Sequence, residues 1–346
     1  MTQSACPYQL RQCVWEITLA CCFRCAHCGS GGGKARENEL STAECLDIAG
    51  QLAALGCERV NLIGGEVFMR RDWYEVSAAI VDAGMLLCII SNGWTFTPEL
   101  CRTLRKLEIE SVAISLDGPP DLHDRLRQPG SFERAERAVH TLVAAGIPTS
   151  IITTLNSASA YRLPQMYELV HDWGIFAWQL QSCSPMGNAA KMDVGWAYDF
   201  RLPMDFVASM HGKAPFAIMT ADNIGYFRGD EAIMRGGSWQ QPRIFPGCAA
   251  GLSVVGIDSV GNVKGCESLY DPRFFEGNLR ERSLADIWND PASFAYNRGF
   301  TPELLTGACA SCEMGSRCAG GCRSYNHFTH GKLYESPACG RRGKPE

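Results

Sequence analysis

Cys21-Cys22-Phe23-Arg24-Cys25-Ala26-His27-Cys28 decides how this chain is read. It follows the largely apolar run Val14-Trp15-Glu16-Ile17-Thr18-Leu19-Ala20, so the cysteines sit in a loop at the end of a strand-like segment. The skeleton is a Cys, three residues, a Cys, two residues and a Cys. Thiolates crowded this closely cannot all reach distant disulfide partners, but they can close around one inorganic cluster. Cysteine thiolates are the usual ligands of iron–sulfur clusters. Three protein ligands leave one iron of a cubane open for a further ligand.

Working outward, the whole chain narrows the setting. Its 346 residues are 46% hydrophobic and 20% charged, the balance of an ordinary globular protein with ample core. A net charge of −5 argues against a nucleic-acid surface, which carries a basic excess. Met1 to Leu10 has no basic-then-apolar signal pattern, and no apolar run reaches the length of a membrane span, so a cytoplasmic protein with no membrane partner is expected. In a reducing compartment clustered cysteines read as metal or cluster ligands rather than disulfides. Of the 18 cysteines, Cys21, Cys25 and Cys28 form the loop skeleton and seven run from Cys248 to Cys339. The others (Cys6, Cys13, Cys22, Cys45, Cys57, Cys88, Cys101 and Cys183) are scattered, mostly where a small buried hydrophobe suffices.

Hydrophobic periodicity after the Gly29 to Gly33 turn predicts regular alternation. Helices are expected at Thr42 to Leu55 with Ser41 or Thr42 as N-cap, Trp73 to Ala83, after Pro98, Phe132 to Ala145, and Leu163 to Trp173. Strands are expected at 59–63, 85–90, 111–116, 149–155 and 175–181, besides the one before the cysteine loop. Six strand-then-helix alternations indicate an α/β fold with a parallel sheet and right-handed crossovers. Ligands of such sheets bind at the carboxyl ends of the strands. Gly64-Gly65-Glu66, Ser91-Asn92-Gly93, Asp117-Gly118, Asn156 and Ser184-Pro185-Met186-Gly187 all fall there, as does the cysteine loop.

The three-cysteine loop, Gly64-Gly65-Glu66, Ser91-Asn92-Gly93 and Ser115-Leu116-Asp117-Gly118 together resemble the radical S-adenosylmethionine (SAM) enzymes over roughly residues 12 to 190. The resemblance implies a partial six-stranded (β/α) barrel and reductive cleavage of S-adenosylmethionine to a 5′-deoxyadenosyl radical. By that likeness Cys21, Cys25 and Cys28 hold a 4Fe–4S cluster, and Gly64, Gly65 and Glu66 receive the methionyl amine. His27 stands beside the adenine, and Ser115, Asp117 and Asn92 meet the ribose. Arg127, with Arg125 as competitor, takes the methionyl carboxylate.

Beyond the sixth strand, residues 191–246 read as a bridge with helical stretches near Pro203 to Gly212 and Asp222 to Met234. Residues 247–346 then carry Cys248, Cys266, Cys309-x2-Cys312-x5-Cys318-x3-Cys322 and Cys339. This pattern is similar to the SPASM extension that follows the barrel, residues 1–190, in one branch of the family. Paired structural zinc sites are the competing reading, since Cys-x2-Cys is also a zinc knuckle. The resemblance implies two auxiliary clusters, hence three 4Fe–4S clusters in all. One would be held by Cys309, Cys312, Cys318 and Cys339, the other by Cys248, Cys266 and Cys322. No Cys precedes Cys248 within Gln241 to Gly247, so the second has three evident ligands, leaving an iron open or awaiting a less obvious group.

Glu267 directly follows Cys266, where sulfatase-maturing relatives are proposed to use a carboxylate for deprotonation; an ordinary turn residue is the alternative. Cys183, ending the sixth strand, is a candidate hydrogen-atom donor or ligand, with a buried structural thiol as the plainer reading. Gly261-Asn262-Val263-Lys264-Gly265-Cys266 and the segments after it look like peptide maturases of this branch. The expected activity is hydrogen abstraction from a peptide or protein residue, giving cross-linking, epimerisation or oxidation. A flavodoxin or ferredoxin would supply electrons. The first strand begins near residue 14, leaving no room for an N-terminal recognition domain, so a separate protein or the barrel itself would read a leader. A small-molecule or cofactor-precursor substrate is the second hypothesis, and a non-catalytic electron-transfer protein the third.

Overall fold

Parallel strands and covering helices alternate through the first half of the chain, as the periodicity predicts. The computed structural model describes residues 6–191, 195 and 198–341. Strands β1 (Gln12–Glu16), β2 (Arg59–Ile63), β3 (Leu86–Ser91), β4 (Ser111–Ser115), β5 (Thr149–Leu155) and β6 (Ala177–Ser182) lie in sequential order, each parallel to the next. Helices α1 (Thr42–Ala54), α2 (Trp73–Asp82), α3 (Pro98–Lys106), α4 (Pro120–Leu126), α5 (Ser131–Ala144) and α6 (Leu163–Val170) connect them. Ser41 caps α1 in a reciprocal capping box with Glu44, the type of contact that contributes about 1 kcal/mol. The apolar side chains of β1 to β6 and the inner faces of the helices form one core, including Trp15, Leu62, Ile89, Ile114, Ile151 and Trp178.

Three features extend the expected plan. Helix α4 follows Asp117-Gly118-Pro119, a turn that periodicity left unassigned. Between β6 and the C-terminal cysteines, α7 (Arg201–Met210) leads to β7 (Ala217–Thr220), which adds a parallel strand beside β6. The helix expected from Asp222 is confined to α8 (Glu231–Met234), because 222–230 forms turns with Phe227 left-handed.

The C-terminal segment joins the same sheet. Strand β8 (Val254–Ile257) pairs parallel to β1, while β9 (Asn262–Lys264) and β10 (Gly277–Asn278) continue antiparallel. Among the described residues the sheet has ten strands in the order β10-β9-β8-β1-β2-β3-β4-β5-β6-β7. β1 is thus internal, which places the cysteine loop where the barrel strands meet the C-terminal strands. Short helices α9 (Leu284–Asn289), α10 (Ala295–Arg298), α11 (Gly315–Cys318) and α12 (Arg323–His330) carry the rest.

Candidate cluster and cofactor site

The cysteine loop is pinned at its root. Gly33 N donates to Leu19 O (2.8 Å) and Cys21 N to Gly33 O (2.9 Å), tying both ends of the loop together. Gly64 and Gly65 lie directly against residues 18–20, with Gly65 N donating to Thr18 O (2.8 Å) and Glu66 N to Ala20 O (2.7 Å). A Cβ on Gly64 would stand 2.6 Å from Thr18 O, and one on Gly65 would overlap the carbonyls of Leu19 and Ala20. Only glycine permits that approach. A Cβ on Gly32 would meet Gly65 Cα at 3.2 Å, Cys21 Cβ at 3.4 Å and Cys28 Sγ at 3.7 Å, so the loop and the glycine pair converge. Backbone N–H groups point at sulfur: Phe23 N lies 3.3 Å from Cys21 Sγ and Gly32 N 3.2 Å from Cys28 Sγ. Such donors stabilise thiolate ligands, so this donor set fits a cluster.

Beside it lies a compensated ionic group. The carboxylate of Asp117 is fully buried; its Oδ2 receives Arg127 Nε and His27 Nε2 (2.9 Å), and its Oδ1 receives Thr154 N (2.8 Å). Burial opposes ionisation, yet Arg127 and His27 hold Asp117 below the usual carboxylate range. Burial likewise works against Arg127, but Asp117 and the Cys25 and Cys28 thiols keep it above its ordinary value. Arg127 therefore stands between Asp117 and the cysteines, whereas Arg125, its competitor, is exposed. Ser115 is half-buried at the end of β4. Cys183, just past β6, is buried, its thiol pushed up to about 12 by burial and then by Asp117.

Glu66 has turned toward the neighbouring strand end. Its carboxylate accepts from Ser91 Oγ (2.9 Å) and Asn92 N (2.8 Å), fixing the Ser91-Asn92-Gly93 turn. Burial lifts Glu66 to about 7 against those two hydrogen bonds. The Asn92 amide nitrogen then lies 3.5 Å from Cys22 Sγ and 3.8 Å from Cys21 Sγ, facing the sulfurs.

A second buried ionic chain was not singled out from the sequence. Glu16, fully buried at the end of β1, pairs with Arg36, which also bonds Ser259. Tyr270 donates to Glu16 Oε2 (3.0 Å), and Lys264 Nζ lies 4.3 Å from the Tyr270 ring centroid. Lys264 Nζ donates to Glu267 Oε1 (2.8 Å), while Glu267 Oε2 has no partner. Burial raises Glu267 to about 8, with Lys264 opposing. A charge inside an otherwise apolar strand, Glu16, was the signal available in the sequence.

The seven later cysteines gather in two groups. Cys322 is pushed up by burial and then by Cys248 and Cys266 beside it; Cys318 is pushed up to about 11 by burial and by Cys309, Cys339 and Cys312. Tyr296 stands near Cys248 and Cys266 with its hydroxyl against Gly265, its phenol raised by burial and by those thiols. Among the described residues no three His, Cys, Asp or Glu side chains converge on a point one metal ion could fill. A cubane spreads its thiolates more widely than a single zinc ion does.

Comparison with known proteins agrees with this layout. The model of the Radical SAM superfamily matches residues 15–169, and that of the SPASM iron–sulfur cluster-binding domain matches residues 248–313. The chain is 28% identical to an AdoMet-dependent heme synthase of Methanosarcina barkeri, over 95% of this chain and 96% of that one. It is 29% identical to the mycofactocin maturase MftC of Mycobacterium tuberculosis, over 91% of this chain and 79% of that one. In fold it is similar to Streptococcus suis SuiB bound to S-adenosylmethionine (TM-score 0.73, 17% identity, 91% of this chain and 74% of that one). It is also similar to anSMEcpe with bound AdoMet (TM-score 0.71, 16% identity, 94% and 93%). No helix among the described residues is long and apolar enough to cross a membrane. The barrel, the cysteine loop with its glycine cradle and the later cysteines agree with an enzyme that carries a Radical SAM domain over residues 15–169 and a SPASM iron–sulfur cluster-binding domain over residues 248–313.

Proposed function

We propose that the chain is a cytoplasmic maturase that removes a hydrogen atom from a residue of a ribosomally made peptide or protein. The observation that carries the peptide reading is the 29% identity to mycofactocin maturase across 91% of this chain. When bound, a reduced cluster and S-adenosylmethionine supply a 5′-deoxyadenosyl radical able to break a carbon–hydrogen bond.

The chain's own residues confine and orient that chemistry. Cys21, Cys25 and Cys28 hold the 4Fe–4S cluster, and the Gly64-Gly65 backbone receives the methionyl end. Arg127, charged and next to Cys25, is placed for its carboxylate, with Asp117 holding the guanidinium in position. Glu66 acts through Asn92, whose turn it fixes, while Ser115 and His27 flank the nucleoside. Glu267, when ionised against Lys264, can accept a proton as the substrate is oxidised. Cys248, Cys266 and Cys322 would hold one auxiliary 4Fe–4S cluster and Cys309, Cys312, Cys318 and Cys339 the other, groups whose chemistry would be to take up electrons. A flavodoxin or ferredoxin would be the electron donor, and a separate protein or the barrel itself reads the peptide leader.

Incubating the anaerobically reconstituted enzyme with deuterated candidate peptides tests this. Deuterium should appear in 5′-deoxyadenosine; cleavage without deuterium transfer from any peptide sinks the peptide reading. The second reading, a small-molecule or cofactor-precursor substrate, is favoured by the likeness to heme synthase over 96% of that relative's length. Deuterium transfer from a labelled tetrapyrrole instead would select it.

A further inference from the structure

Arg323 is an isolated buried cation. It directly follows Cys322 as the first residue of α12, and its side chain is fully buried. Nη1 donates to the carbonyls of Ala319, Gly321 (3.4 Å) and Leu333 (3.1 Å), and the guanidinium lies over the rings of Tyr334 (4.6 Å) and Phe300 (5.4 Å). Its Nε and Nη2 have no hydrogen-bond partner. The other arginine and lysine buried to this degree have carboxylates: Arg70 pairs with Asp72 and Lys264 with Glu267. Among the described residues Arg323 has no ion-pair partner.

A charge held this way is expensive. An uncompensated ion in a low-dielectric interior costs several kcal/mol, and arginine cannot escape by losing its proton. Three carbonyls and two ring faces offset part of that cost, and the N–H groups of Nε and Nη2 are left over for an anionic neighbour. The loop it supports supplies the clue, because Cys318 lies in the four-cysteine group and Cys322 in the three-cysteine group. The residues between them, Ala319 (φ 52°), Gly320 (φ 76°) and Gly321 (φ 86°), are all left-handed. For Ala319 that costs on the order of 1 kcal/mol. Arg323 draws in the carbonyls of Ala319 and Gly321 and so braces the one turn that links the two ligand sets.

We propose that Arg323 is the countercharge of the auxiliary clusters. It is a positioning residue whose fixed positive charge offsets the net negative charge of the thiolate-bound iron. A cation beside a cluster favours the more negative, reduced state, so Arg323 holds the auxiliary potential higher than the thiolates alone would. This rests on the reading of the seven cysteines as cluster ligands.

The test uses the full chain with Cys21, Cys25 and Cys28 replaced by Ala, so that only auxiliary clusters load. Iron per chain and the midpoint potential, followed by electron paramagnetic resonance, are compared for Arg323, Arg323→Lys and Arg323→Gln. The expected result is a more negative midpoint in Arg323→Gln, with Arg323→Lys close to the parent. If Arg323→Gln instead fails to load iron, Arg323→Lys should still load it. A parent-like potential and iron content in Arg323→Gln overturns the proposal, as do equal shifts or equal iron losses in the Lys and Gln variants. A parent that binds no iron overturns the cluster reading itself, and the role of Arg323 with it.

Discussion

At the barrel mouth the buried charges are paired within the chain, whereas in the C-terminal cysteine region the buried guanidinium of Arg323 is not. Asp117 meets Arg127 and His27, Glu66 meets Ser91 and Asn92, and both sit where parallel strands end against one core. Around the later cysteines regular structure is sparse, and the buried Arg323 has no ion-pair partner among the described residues. The first site is shaped by the fold and receives its cluster. On the proposed ligation the second would complete its packing only with its clusters, as small metal domains do.

The largest effect separating the two regions concerns activity. Replacing Cys21, Cys25 and Cys28 with Ala should drop reductive S-adenosylmethionine cleavage to the protein-free background while leaving the circular dichroism of the barrel intact. Cofactor cleavage above background in that variant would break the assignment. Next comes iron removal by an anaerobic chelator. Hydrogen exchange over 309–339 should accelerate by at least about tenfold, with β2 to β5 unchanged. Uniform acceleration would erase the distinction between the two sites.

Smaller effects sharpen the account of the barrel mouth. Asp117→Asn leaves Arg127 buried without its anion and should cost about 3–5 kcal/mol in urea unfolding. Adding Arg127→Met should recover part of that loss. The pH dependence of Glu66 follows next. Its folded value, about 7, lies above its unfolded value of about 4.3, so the folded state prefers the neutral acid. The stabilisation it confers is complete below pH about 4 and lost as pH rises through about 7, on the order of 3 kcal/mol in all. Glu66→Gln should remove this slope; a variant whose stability still falls with pH as the wild type does would place the titration elsewhere.

Much of the barrel was legible because strand and helix periods are local. The strand at 149–155 and the one at 59–63 match the periodicity to the residue, and Pro98 starts α3 as expected. β7 escaped because four residues, Ala217–Thr220, are too few to show alternation. The pairing of β8 with β1 escaped because nothing near Val254 records a partner so distant in sequence. At the site, residue types were readable but their mutual contacts were not. Asp117 and Arg127 were both singled out for the cofactor, yet their bond to each other depends on α4 bringing Arg127 back to Asp117. The ionic chain from Glu16 to Glu267 spans elements more than two hundred residues apart, and only Glu16 in an apolar strand hinted at it.

The parallel pairing of β1 with β8 sets a schedule for synthesis. Gln12 stands in register with Val254 and its N donates to Ser253 O (3.1 Å), so one edge of β1 has no neighbour until the ribosome has passed residue 257. During most of translation the emerging barrel presents an open strand edge next to the loop that carries Cys21, Cys25 and Cys28. Closing so long a contact is slow, and an unpaired edge is a template for aggregation. Cells producing this chain quickly should accumulate it in inclusion bodies more than its core would suggest, and slower synthesis should relieve that.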